Sequence, residues 1–282
     1  MSRPEWRVRG ETLDPNRGTL IMGIVNTTPD SFSDGGKYQA ADKAVAHGHR
    51  MWHQGAHLID VGGESTRPGS SPVSTKEEIG RVEKVVAELA GAGVRVSIDT
   101  SKPQVAGAAF EAGAVVLNDV SALENPAMVE LCAARGVGVV LMHKQGDPQT
   151  MQVEPVYEDV VSEVKEYLRQ RISAVTEGGV AHSAIVVDPG IGFGKTTAHN
   201  LALLAALPRL ADLGRPILVG VSRKAFLGTL TGLPVEDRDG ITSVASGLCA
   251  LLGASILRVH DVPSTKAALA LADAIGEEVE NH

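Results

Sequence analysis

The chain has 282 residues, 43% of them hydrophobic, and 26 Lys and Arg against 34 Asp and Glu give a formal charge of −8. This mixture excludes a disordered or collagen-like polymer. An acidic balance with only 2 Trp, 3 Tyr and 4 Phe also argues against a nucleic-acid binder, which would present a basic stripe with stacking rings.

Along the chain, short β-rich apolar runs alternate with longer helical stretches. The N-terminus is mixed and charged and lacks the apolar core of a secretory signal, so residues 1–17 read as an extension ahead of the first strand. Strands are expected at 20–26, 57–62, 94–99, 115–119, 138–143, 184–188, 217–222 and 255–260. Helices are expected at 40–54, 75–92, 102–112, 126–135, 157–177, 198–207, 237–252 and 264–277. Several strands are apolar on both faces, which suits a parallel sheet covered on both sides. Ser74 with Glu77 offers a capping box, and Gly55, Gly93, Gly113 and Gly136 fall at helix ends, where a left-handed cap favours glycine. The longest uncharged run, 240–257, is broken by Thr242, Ser243, Ser246 and Ser255, so it reads as a buried helix leading into a strand and not as a membrane span. The segment 144–155 is too long for a plain connection and is expected at the rim of a site. Cys132 and Cys249 match no metal spacing and read as buried, reduced thiols of a cytoplasmic protein.

Eight βα units with no break in composition predict an α/β fold, a single (β/α)8 TIM barrel. It is expected as one domain over 1–282, with the barrel proper at about 18–278. In such a barrel the strand ends converge on one face. Here nearly every expected strand ends in polar side chains: Asn26, Glu64, Asp99, Asn118 with Asp119, His143, Asp188, Ser222 with Arg223 and Lys224, and Arg258 with His260. One of these alone would read as a cap or a satisfied loop group; the set together reads as a site. Asp99 and Asp188 can each accept two parallel hydrogen bonds from an N–C–N edge. Asn118 donates and accepts, as a heterocycle edge requires. Arg67, Lys224, Arg258 and His260 form a cationic set for an oxyanion or phosphate, and Asn26 suits a weakly held Mg²⁺. The run from Asp188 to Thr196 resembles a phosphate loop but fails the pattern at Pro189, and its glycines permit a tight turn instead.

These motifs together resemble the dihydropteroate synthase family of the folate pathway. The match is carried by residues 22–36 (MGIVNTTPDSFSDGG), 60–69 (DVGGESTRPG), 97–100, 118–121, 141–143, 188–195 (DPGIGFGK), 220–224 (GVSRK) and 258–260. The resemblance implies a Mg²⁺-dependent transferase. It would join 6-hydroxymethyl-7,8-dihydropterin diphosphate to p-aminobenzoate, giving 7,8-dihydropteroate and diphosphate by an ionisation-first route. It also implies a pterin site of Asp99, Asn118, Met142, Asp188 and Lys224, and a p-aminobenzoate pocket of Thr66, Arg67, Pro68, Phe193 and Ser222, where sulfonamides bind in this family. Asn26, Arg67, Arg258 and His260 are implied as diphosphate ligands, with Asn26 at the metal. Asp99, Lys224, Arg258, His260 and Asn26 are implied as the catalytic set, and Phe32, Asp34 and Arg67 lie on mobile loops. A homodimer is implied, with small molecules as substrates and neither nucleic acid nor membrane as a partner. Two other readings stand beside it: a non-catalytic pterin-binding paralogue, and a corrinoid-type pterin methyltransferase barrel, which should lack the Ser65–Pro68 loop and the Arg258-Val-His260 end. Lys144, Ala225 and Ile191 depart from the family pattern at positions that carry none of these roles.

Overall fold

The computed structural model describes residues 3–27, 37–65, 70, 72–146 and 150–281. The chain enters through an antiparallel hairpin of β1 (Trp6–Val8) and β2 (Glu11–Leu13). Strands and helices then alternate: β3 (Leu20–Asn26), α1 (Lys37–His53), β4 (Leu58–Gly62), α2 (Thr75–Gly91), β5 (Val96–Asp99), α3 (Pro103–Glu111), β6 (Val116–Asp119), α4 (Pro126–Arg135), β7 (Gly138–Met142) and α5 (Val160–Glu177). They continue with β8 (Ile185–Asp188), α6 (Thr197–Ala205), α7 (Leu207–Leu210), β9 (Leu218–Val219), α8 (Ala225–Thr231), α9 (Asp239–Leu251), β10 (Ile256–Val259) and α10 (Val262–Asn281).

Eight strands form one parallel sheet in the order β8-β7-β6-β5-β4-β3-β10-β9. The ends of that order meet through a parallel bridge between Val187 and Ile217 and a bond from the Val187 amide to the Pro216 carbonyl at 3.0 Å, so the sheet closes into the expected barrel. β9 is shorter than expected. Its pairing with β8 is limited to that bridge and bond.

The two-residue strand repeat sorts side chains into two cores. Outward residues such as Ile59, Val61, Ile98, Leu117, Val139 and Val187 pack on the helices, where α2 offers Val82, Val85, Val86 and Leu89 at helical spacing. Inward residues Leu20, Met22, Leu58, Val116, Val140, Val186, Leu218 and Ile256 fill the lower barrel. The hairpin, read from sequence only as an extension, plugs that end with Trp6, Val8 and Leu13. Trp6 is fully buried, and its indole donates to the Ala184 carbonyl at 2.8 Å. Burying such a ring removes on the order of 200 Å² from water, about 5 kcal/mol before ordering costs.

Helix α8, seven residues with a glycine inside, was not anticipated; its apolar pattern is too short to rise above the loop around it. The run 240–257 is α9 followed by β10, and no helix among the described residues is long and apolar enough to cross a membrane. Both cysteines are buried free thiols, and burial pushes each up to about 12.

Candidate active site

Continuing the inward repeat to the strand exits brings polar residues above a layer that is apolar apart from Ser97. Above Leu58 comes Asp60, above Ser97 comes Asp99, above Val116 comes Asn118, above Val186 comes Asp188 and above Ile256 comes Arg258. All are buried except Arg258, which is half-buried. The Arg258 guanidinium spans the mouth, giving Nε to Asp60 Oδ2 at 2.6 Å and Nη2 to Asp99 Oδ2 at 2.7 Å. Asn118 Nδ2 donates to the same Asp60 oxygen at 3.0 Å. One oxygen of each carboxylate, Asp60 Oδ1 and Asp99 Oδ1, is buried without a partner among the described residues. Buried acceptors are rarely left unmet in a native fold, so these two mark a place for donors from a ligand.

Burial raises the Asp99 carboxyl to about 7 against the pull of Arg258, with Asp60, Asp119 and Glu78 adding to the rise. Burial also raises Asp188, opposed by the Gly190 amide at 2.7 Å and by Lys224, Lys195 and Arg258. Lys224 is lowered to about 8 by burial, with Asp188 opposing. Its ammonium donates to the Ile191 carbonyl and lies 4.0 Å from the centre of the Phe193 ring, a cation–π contact. Met142 is buried at the end of β7, where its neighbour in register is Asp188. Ser222 Oγ and His260 Nδ1 are 2.8 Å apart, and the His260 amide donates to Ser222 Oγ at 3.2 Å.

Asn26, Asp99, Asn118, Met142, Asp188, Ser222, Lys224, Arg258 and His260 thus surround one mouth, with Phe193 held against Lys224. Thr66, Arg67, Pro68, Phe32 and Asp34 lie outside the described residues. Four other strand-end polar groups serve the frame instead. Asp119 points outward and accepts from the Ser121 and Leu123 amides, with Lys144 near enough to ease its burial. Glu64 pairs with Lys102, which also donates to the Val73 carbonyl and to the buried Glu78. Arg223, one of the strand-end polar residues expected at the mouth, sits at φ 55° and is engaged by Asp239 at 2.6 and 2.7 Å. That bidentate pair fixes the turn presenting Ser222 and Lys224. His143 pairs with Lys195.

Sequence reasoning gave Asp60 no role: it opens the 60–69 motif but sits in the apolar run LIDVG, and the inward phase of β4, shared with Leu58, is the signal that could have marked it. The glycine turn after β8 lies on the exit of β7. At Gly190, φ is 68°, and a Cβ there would fall on the His143 carbonyl oxygen. Gln152, from the second half of the 144–155 segment, donates to the Gly192 carbonyl at 2.5 Å, so that residue lies at the rim as expected.

Among the described residues no group of three His, Cys, Asp or Glu could hold a metal ion. At the mouth, Asn26 Oδ1 and Asp99 Oδ2 each lie 3.8 Å from where a Cβ of Gly62 would stand. A single neutral amide oxygen fits a Mg²⁺ bound mostly by phosphate and water.

Residues 22–260 match the model of the pterin binding enzyme family. Across 261 residues the chain is 48% identical to a dihydropteroate synthase of Neisseria meningitidis serogroup C, covering 91% of this chain and 92% of that one. In structure it is similar to the Yersinia pestis dihydropteroate synthase in a sulfonamide drug complex, with a TM-score of 0.91, 42% identity and coverage of 97% and 99%. It is also similar to the Xanthomonas albilineans dihydropteroate synthase with 4-aminobenzoic acid, with a TM-score of 0.90, 46% identity and coverage of 97% and 98%.

Proposed function

The chain belongs to the pterin binding enzymes and, within them, to the dihydropteroate synthases, and from that premise we propose how its residues divide the work. The enzyme is a transferase that moves the 7,8-dihydropterin-6-ylmethyl group from its diphosphate to p-aminobenzoate. The observation that carries the residue assignment is the Asp60–Arg258–Asp99 bridge with its two unmet carboxylate oxygens, closed below by Asn118. A pterin edge supplies the donors those oxygens need, and Asp188 accepts from a further N–H pair while Lys224 donates. Met142 lines this site.

Arg258 Nη1 has no partner among the described residues, and with His260 and Arg67 it faces the leaving diphosphate. Asn26 would meet a Mg²⁺ carried in by the diphosphate, and that ion would supply neutralisation of the leaving charge. As the C–O bond at the pterin methylene breaks, its electron pair leaves with diphosphate and positive charge spreads into the ring. The ionised Asp99 stands beside that charge in a dry site, where a fixed carboxylate acts most strongly. The p-aminobenzoate nitrogen, held by Phe193, Ser222, Thr66, Arg67 and Pro68, then attacks the methylene carbon and gives up a proton to solvent. An arylamine needs no strong base for this, so no nucleophilic triad is required.

The chain works as one domain, in the cytoplasm, and as a homodimer. Val244, Leu248 and Leu251 on α9 and Leu271 and Ile275 on α10 leave an exposed apolar face on two helices packed together, which suits a second copy. A coupled assay for 7,8-dihydropteroate, run with and without Mg²⁺, tests the assignment. Turnover that needs both substrates and the metal supports it; pterin binding with no diphosphate release would restore the non-catalytic reading.

A further inference from the structure

Beneath the mouth lies a buried lysine that the proposed chemistry leaves unused. Lys195 is 3% exposed. Its Nζ lies 3.0 Å from His143 Nδ1 and donates to the Phe193 carbonyl at 2.9 Å. Burial holds His143 down to about 3, so its ring is neutral. An ammonium can only donate, so Nδ1 accepts and Nε2 carries the ring proton. The Tyr167 ring meets the His143 ring edge-on at 4.9 Å, and Tyr157 lies 6.1 Å away. Tyr157 in turn ties its hydroxyl to the Gly194 carbonyl at 2.9 Å and its ring to His199. Asp188 and Lys224 are the charges that act on Lys195, the first favouring its proton and the second opposing it.

Burying an ammonium is costly unless its donors are met. Here two of its acceptors come from His143, the residue that follows β7, and from the glycine turn itself. The turn already lies on the β7 exit, where a Cβ at Gly190 or Gly194 would strike the His143 or Gln145 carbonyl. Phe193, in the middle of that turn, is bound to Lys195 by its carbonyl and to Lys224 by its ring. Any drift of the turn therefore moves the ring and the cation beneath it together.

We propose that Lys195 is a positioning residue for the aminobenzoate subsite. Its ammonium, seated on His143 Nδ1 and the Phe193 carbonyl, fixes the turn that holds the Phe193 ring against Lys224, and p-aminobenzoate binds tightly only while that ammonium keeps its proton. The role rests on the assignment of Phe193 to that subsite. Burial lowers Lys195 to about 7, so the charge is present below that value and is lost as pH rises through it. A neutral amine holds the carbonyl roughly half as strongly as an ammonium does. The carboxyl and amine of p-aminobenzoate do not titrate in this range. Lys224, lowered to about 8, follows at higher pH.

The test measures KM for each substrate from about pH 6 to about pH 9 in wild type, Lys195→Gln, His143→Leu and Phe193→Ala. Lys195→Gln keeps a donor for the carbonyl and never carries charge. It should raise KM for p-aminobenzoate about tenfold at low pH, abolish the rise near neutrality, and change KM for the pterin diphosphate far less. His143→Leu removes an acceptor, so the rise should move to lower pH. A folded Lys195→Gln enzyme with the wild-type pH profile, or an equal change for both substrates, overturns the proposal. If Lys195→Gln does not fold, an unshifted rise in His143→Leu overturns it instead. Phe193→Ala separates the two layers: an unchanged KM for p-aminobenzoate there refutes the subsite assignment itself.

Discussion

The lower and upper halves of the barrel interior are built by the same strands on the same two-residue repeat, and they hold opposite chemistry. Below, Leu58, Val116, Val140, Val186 and Ile256 meet the hairpin plug in an apolar core. One repeat higher on the same strands stand Asp60, Asn118, Asp188 and Arg258, with the apolar Met142 beside them on β7. The apolar layer gains free energy by excluding water. The polar layer pays to bury charge and leaves two carboxylate oxygens unmet until a ligand arrives. Stability and function are therefore separated by one strand repeat, and substitutions in the two layers should fail in different ways.

The largest effect is expected from Asp99→Asn. Removing the fixed charge beside the developing cation should lower kcat by about a hundredfold to a thousandfold. The amide still offers Arg258 an oxygen and Asp60 keeps its own bond, so the melting temperature should move little. Leu58→Ala reverses the pattern: a cavity in the lower layer should cost about 3 kcal/mol in denaturant unfolding and leave kcat/KM of the folded enzyme unchanged. Asp188→Asn should weaken pterin binding by about tenfold to 150-fold in calorimetry, because a ligand donor then meets the wrong group. The mildest test is pH. On the proposed assignment, turnover needs Asp99 ionised and Lys224 charged. It should rise as pH climbs through about 7 and fall again above about 8. A flat profile would break the link between these buried charges and the chemistry. The apparent values of that profile will belong to the coupled set and not to single residues.

The barrel was legible because its strands are apolar on both faces and its helices carry the longer period. Most of the mouth was legible because strand exits end in polar residues. What the sequence concealed was partnership. Arg258 and Asp60 are 198 residues apart, and Asp60 sits inside an apolar run, so only the closed barrel brings it into the site. Arg223 and Asp119 look like site residues at their strand ends. Their nearest useful partners, Asp239 and the Ser121 and Leu123 amides, take them into the frame instead. Lys195 looks like the lysine of a phosphate loop, yet the turn folds it inward onto His143. The hairpin was missed because three-residue strands carry too little alternation to stand out.

The decisive comparison is product formation by wild type and Asp99→Asn, with 7,8-dihydropteroate and diphosphate followed together and the melting curve of each chain taken on the same preparation. Wild type should release the two products in equal amounts, and Asp99→Asn should lose nearly all turnover while melting as wild type does. Full turnover by Asp99→Asn, or pterin binding by wild type with no diphosphate released, would contradict the assignment of catalysis to the upper layer of the barrel.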